Sequence, residues 1–305
     1  AGVIEALREW GCRDLVVAEG SWVGDRTTRA FRLCGYEALS RTYGVPLVDL
    51  QSDDAVAVSD GEAEFSVCRT VMEADALINL PVLKGHCQTR MTAALKNLKG
   101  CIPDSEKRRY HRLGIHEPVA RLNRVVRPLY TLADAICGDP DFEEGGDPVP
   151  MDRVVGCADP VLLDAYLAGL LGYRTEEIPY IGLAAAFGVG SADPEDASIC
   201  FLNRGEGIST VLERAVRRTV PADIDERAAC SACFGALAAA LRGIPDTDVR
   251  RLPPLRIGQG FRGEVVAGIG IGDCCRGAGT HIPGCPPATH EIRQALLCGR
   301  GGTPA

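Results

Sequence analysis

Aromatic side chains are scarce in this chain. Phe, Tyr and Trp make up 5% of its 305 residues, too few for the platforms on which nucleic-acid bases stack. An excess of basic charge is missing as well. The chain has 33 Lys and Arg against 41 Asp and Glu, a net charge of −8, whereas wrapping nucleic acid needs a broad basic surface. No apolar run is long enough to span a bilayer; those near Leu162–Leu171 and Ile181–Val189 are interrupted by Gly or a charge. The start, Ala1–Trp10, reads as an amphipathic helix rather than a signal peptide. It does not begin with Met, so an exported protein stripped of its signal stays open. P-loop, G-x-S-x-G and H-E-x-x-H strings, internal repeats and low-complexity tracts are all absent. Gly258-Gln-Gly260-Phe-Arg-Gly263 matches the dinucleotide fingerprint by letter only, because a strand-like Glu-Val-Val-Ala follows where a helix is required.

Cysteine, by contrast, is abundant, with fourteen in the chain. The reading is a reduced, cytoplasmic protein in which some thiols are ligands rather than disulfides. Cys230-Ser-Ala-Cys233, Cys274-Cys275 and Gly284-Cys285-Pro-Pro287 cluster in the last quarter. Thiolates are soft anionic ligands suited to iron–sulfur clusters and zinc. Cys230 and Cys233 fall on one face at the start of a helix, whose N-terminus favours thiolate. The second segment is dense in Gly, at 268, 270, 272, 277 and 279, which lets backbone bend around a cluster and aim N–H groups at sulfur. Cys230, Cys233, Cys274 and Cys285 are the candidate ligands, with Cys275 as the alternative to Cys274. A [4Fe–4S] cluster is favoured over zinc, because small zinc modules usually show two C-x-x-C knuckles and here there is one. Lone cysteines such as Cys12, Cys34, Cys137, Cys157 and Cys200 read as structural.

The length admits two domains. A core over residues 1–205 is followed by a smaller cysteine-rich α/β segment over 206–305, with a soft boundary near Gly205–Gly207. Helix and strand patterns alternate, predicting an α/β fold with a mostly parallel sheet and helices on both faces. Strands are expected at 14–19 (buried), 45–50, 64–68, 75–80, 129–136, 153–158, 197–202 and 265–269. Helices are expected at 1–10, 27–43, 69–74, 160–171 with Asp159 as N-cap, 181–187, 225–241 and 287–297. Residues 90–99 form a helix or a structured loop. Pro103–Arg127, basic and poorly periodic, is expected to be a mobile loop near the ligand site.

A second constellation follows the strand ending at Leu80. Lys84, His86, Arg90, Lys96, Asn97 and Lys99 gather at the C-terminal end of that strand, where open α/β sheets bind ligands. In an acidic protein this is a positive island suited to a carboxylate or phosphate. His86, with Lys84, is the candidate for proton exchange; a solvated basic turn is the alternative. Asp134 lies in an apolar run and, if buried, needs a partner, for which an island lysine is the candidate. The expected partners are a small anionic ligand or a redox partner protein, with no nucleic acid and no membrane.

Ala76-Leu-Ile-Asn-Leu-Pro-Val-Leu-Lys-Gly-His86, Thr92-Ala-Ala-Leu-Lys-Asn-Leu-Lys-Gly-Cys-Ile-Pro103 and Val155-Gly-Cys-Ala-Asp-Pro-Val-Leu-Leu-Asp164 resemble the domain of unknown function 362 family over roughly residues 14–175. The resemblance implies iron–sulfur cysteines, often in an attached ferredoxin module, and a redox protein or oxidoreductase without an assigned reaction. The string Gly284-Cys-Pro-Pro287 is similar to one beside a cluster ligand in the small subunits of hydrogenases and respiratory Complex I. Three features depart from the family. The upstream strand and Ile-Lys-Pro-Asn-like segment with which family members usually begin are not found before Ala1, which leaves open whether the sheet and the ligand site are complete. The Gly-rich stretch after Asp134 is replaced by Cys137-Gly-Asp-Pro-Asp-Phe-Glu-Glu. The tail is not a ferredoxin repeat, so a two-cluster carrier is not expected.

Overall fold

The structure, a computed structural model, describes residues 1–86, 88–140, 149–203, 222–227 and 229–298. Its first helix, α1 (Gly2–Glu9), buries Ile4. β1 (Val17–Glu19) pairs in parallel with β2 (Leu47–Asp49). Contrary to expectation β1 is largely exposed, because it is an edge strand of a sheet of only two strands. The single helix expected over 27–43 is two, α2 (Thr27–Leu33) and α3 (Tyr36–Tyr43), divided at Gly35, whose φ of 77° lies in the left-handed region. β3 (Ala55–Ser59) and β4 (Glu64–Cys68) form a hairpin, of which the sequence reading had only the second strand. The Asp60-Gly61 turn between them is the signal it lacked.

After α4 (Arg69–Glu73) and the two-residue β5 (Ile78–Asn79) comes a short hairpin, β6 (Lys84–His86) with β7 (Arg90–Thr92). α5 (Ala94–Asn97) runs into a 3-10 turn over Leu98–Cys101. The mobile loop expected over 103–127 is instead two helices, α6 (Asp104–Leu113) and α7 (His116–Val125). Ile115, Val119, Leu122 and Val126 are buried at helical spacing. The arginines that hid this stripe face acids instead: Arg121 and Arg124 both bind Asp60.

β8 (Tyr130–Gly138) pairs antiparallel with β9 (Val149–Cys157) and parallel with β5. α8 (Pro160–Leu170) starts where predicted, with Asp159 accepting from the N–H groups of Val161 and Leu162. α9 (Pro179–Ala186) follows. The strand expected at 197–202 is absent; Ile199, Phe201 and Leu202 are exposed and pair with no sheet edge. The boundary placed at Gly205–Gly207 lies outside the described residues.

The helix expected from Asp225 begins only at Ser231, because Ile224–Glu226 is taken up as strand β10. α10 (Ser231–Arg242), α11 (Asp246–Val249), β11 (Leu255–Ile257), β12 (Val266–Ile271), β13 (Ala278–Ile282) and α12 (Thr289–Cys298) complete the order. β10 to β13 form a four-stranded, wholly parallel sheet in sequential order. The α/β class stands. The parallel ladder of four lies in the C-terminal segment, whereas the earlier strands make small parallel, antiparallel and mixed sheets. Leu80, Val82, Tyr130, Ile136 and Val154 stay exposed around β5, β8 and β9.

Apolar burial forms two clusters. One spans Leu50 to Ala184 and centres on α5, α7, α8 and α9. The other, from Ala229 to Leu296, presses α10 and α12 onto the parallel sheet. A fully buried Leu such as Leu237 contributes roughly 2 kcal/mol there.

Candidate functional site

Parallel strands put all their C-terminal ends at one edge, and the cysteines follow those ends. Beyond β10 the chain reaches Cys230, the N-cap of α10, with Cys233 in that helix's first turn. Cys274 lies in the turn after β12, and Cys285 follows β13. Cys230 and Cys233 hydrogen-bond each other. That bond, helped by Gln259 and the charge of Arg262, holds Cys230 below the ordinary thiol range against the opposing effect of burial. Cys233 is pushed up by the same bond, by burial, and by the nearby Cys230, Cys285 and Cys274. Cys230, Cys274 and Cys285 thus all lie near enough to act on Cys233. Among the described residues, no three His, Cys, Asp or Glu side chains stand close enough in this conformation to hold a metal ion.

The backbone explains the crowding. β12 and β13 are parallel neighbours joined by only six residues, 272–277, so the return must lie directly on the strand. A Cβ on Gly270 would meet the Cys275 carbonyl oxygen at 2.5 Å. Gly272 turns at φ 83°, and a Cβ there would stand 3.7 Å from Cys233 Sγ and 3.4 Å from the Gly284 oxygen. Asp273 clips the two turns together: its N–H donates to Gly284 O (2.9 Å), and its carboxylate accepts from Gly284 N (3.1 Å).

Cys274 and Cys275 point apart. Cys274 Sγ accepts from Arg262 Nε at 3.4 Å. Cys275 is 1% exposed, its Sγ donates to Gly258 O at 3.8 Å, and burial raises its thiol. Sequence reasoning missed Gln259 and Arg262 altogether. They lie in the Gly258–Gly263 string, which forms a 3-10 turn between two strands. A donor set of soft thiols beside the left-handed Gly272 turn fits a cluster or zinc in kind.

The basic residues occupy the β6–β7 hairpin and the helix after it. His86 is 2% exposed, and its Nδ1 accepts from the N–H groups of Gln88 (3.0 Å) and Thr89 (3.2 Å). Lys96 is buried, with Nζ donating to Thr92 Oγ1 at 3.1 Å. Arg90, at φ 65°, binds Glu177 and Glu226 at 3.1 Å each and lies over the Tyr173 ring. Asn97 donates to Asn79 Oδ1 at 2.8 Å. Lys84 and Lys99 are half-buried. Asp134 is exposed rather than buried against a lysine, because its β8 position points outward; its carboxylate accepts from Ile136 N at 2.9 Å. An acid that is buried behind α5 is Asp164, on α8. It is fully inaccessible and accepts from Ala94 N (2.7 Å) and Leu95 N (3.1 Å), so it fixes the start of α5 and with it Lys96 and Asn97.

The model of the domain of unknown function DUF362 matches residues 1–169, more than half of the chain. The chain belongs to the DUF362 family. The matched part of this DUF362 protein holds the basic hairpin, Asp159 and Asp164, while the four candidate cysteines lie beyond it. A curated relative, a thylakoid-associated protein of Synechocystis sp. (strain ATCC 27184 / PCC 6803 / Kazusa), is 28% identical over 178 residues. That alignment covers 55% of this chain and 53% of the relative, so the chain spans about half the length of the relative it matches. Among the described residues, no helix is long and apolar enough to cross a membrane.

Proposed function

We propose that this DUF362 protein is a cytoplasmic iron–sulfur protein with one [4Fe–4S] cluster on Cys230, Cys233, Cys274 and Cys285, exchanging electrons with a small anionic substrate or a partner protein. When bound, such a group supplies one-electron transfer. The observation that supports the reading is that Cys230, Cys274 and Cys285, each following a strand of one parallel sheet, all act on Cys233. The described cysteines are all unpaired, in keeping with a reducing compartment. Lys84, Lys96 and Lys99 supply positive charge for an anion, whereas the charge of Arg90 is taken by Glu177 and Glu226; Asp164 and Asn79 hold the α5 turn that carries Lys96 and Asn97. His86 Nδ1 is taken by two backbone N–H groups, so a proton exchanged by this ring travels on Nε2.

A second reading is a structural metal, zinc or a cluster, in a non-redox protein that binds a metabolite or another protein. It is favoured by Cys233 packing directly against the second hydrophobic cluster. Anaerobic purification separates the two. Brown protein with about four irons and four sulfides per chain and a reversible dithionite response supports the redox reading. Colourless protein with stoichiometric zinc overturns it. Cys274→Ser is expected to lose iron, and Cys275→Ser to keep it while losing about 1 kcal/mol of stability.

A further inference from the structure

The turn between β11 and β12 belongs to neither cysteine segment, yet it touches both. Gln259 Nε2 lies 3.5 Å from Cys230 Sγ, and Arg262 Nε lies 3.4 Å from Cys274 Sγ. Two donors three residues apart thus reach two thiols whose chain positions are 44 residues apart. The turn is firmly seated. Phe261 between the donors is fully buried, with the Arg227 guanidinium 4.5 Å from its ring centroid. Gly260 N donates to Arg227 O at 2.9 Å. Gly258 is packed so closely on the segment leading to Cys230 that a Cβ would meet Arg227 O at 2.1 Å.

We propose that Gln259 and Arg262 are positioning residues that set the reduction potential of the thiol-bound centre, one N–H donor to each of two ligand sulfurs. The inference rests on the iron–sulfur reading above. One-electron reduction adds one negative charge, supplied by an external reductant, and breaks no bond. N–H donors and a guanidinium favour the more negative state, so they raise the potential. A preformed turn anchored by the buried Phe261 delivers that bias without rearrangement, although Arg262 itself is exposed.

The test is an electron paramagnetic resonance redox titration, with iron and sulfide analysis, of anaerobically purified wild type, Gln259→Leu, Arg262→Leu and Arg262→Lys. The expected result is full iron content in all four. Both Leu variants should shift the midpoint to lower potential, Arg262→Leu the more, and Arg262→Lys should recover part of the shift by restoring charge. Iron-replete Leu variants titrating at the wild-type midpoint overturn the inference and leave the cluster reading standing. Wild type without iron and sulfide overturns both. Loss of iron from Arg262→Leu together with an unshifted Gln259→Leu also overturns it, because Arg262 then acts in retaining the centre.

Discussion

Asp164 illustrates what a single side chain does when the fold closes over it. Burial raises its carboxyl to about 7 from the ordinary 3.8, although the N–H groups of Ala94 and Leu95 pull the other way. The folded state therefore binds this proton more tightly than the unfolded chain. Its contribution to stability is complete below about pH 4 and declines as pH rises towards 7, by about 1.4 kcal/mol per pH unit. Asp164→Asn should start less stable at pH 5, by about 1–3 kcal/mol, because its amide opposes one of the two N–H donors. It should then lose less stability than wild type between pH 5 and pH 8. Parallel denaturation profiles across that range would show that Asp164 does not titrate there. Nothing local distinguishes Asp164 from Asp134, since both interrupt apolar runs. Only the strand's pleat and the packing of α8 on α5 turn one outward and the other inward. The same holds for Cys274 and Cys275, adjacent in the chain and facing different surroundings.

At the scale of elements, the β3–β4 hairpin is tied to α7 by one carboxylate. The Asp60 side chain is inaccessible to solvent, and its carboxylate accepts from the turn N–H groups of Glu62 (3.0 Å) and Ala63 (2.8 Å), and from Arg121 (2.9 Å) and Arg124 (3.0 Å). Burial alone would raise its carboxyl; the turn N–H groups and Arg121 outweigh it and hold the group at about 2. Its stabilisation is present above the ordinary 3.8 and is lost as pH falls towards 2. Asp60→Ala leaves two guanidinium groups and the turn without their acceptor, and should cost about 3 kcal/mol in a urea titration at pH 7. A loss under 1 kcal/mol would make the clasp a surface ornament. The helix that carries those arginines was legible in principle, since positions 115, 119, 122 and 126 repeat at helical spacing. Dense positive charge obscured it, because apart from Glu117 the acids that neutralise Arg121 and Arg124 lie some sixty residues away.

Across the whole molecule, Arg90 joins the two hydrophobic clusters. One nitrogen binds Glu177, beside α9 of the first, and another binds Glu226, on β10 of the sheet that builds the second. α10 also packs against β6. Arg90→Ala should cost about 2 kcal/mol, because a partly buried bidentate bridge is lost and two glutamates remain. It should also loosen the coupling between the clusters. Both tryptophans, Trp10 and Trp22, precede the second cluster in the chain. Fluorescence and circular dichroism transitions should therefore separate in the variant; coincident, unshifted transitions would refute the role.

Local chemistry alone determined the features whose signals lie within a few residues. These are the Asp159 cap before Pro160, the C-x-x-C at the head of a helix, and the motifs of the DUF362 family. Tertiary structure decided which carboxylate is buried, which of two adjacent cysteines faces the other thiols, that Gln259 and Arg262 flank them, and that Arg90 is held by two glutamates. Each of those depends on the direction a side chain takes from its strand or helix and on what a distant segment presents to it. Parallel pairing of β10 to β13, which brings four chain turns to one edge, is a long-range arrangement that no short window of sequence encodes.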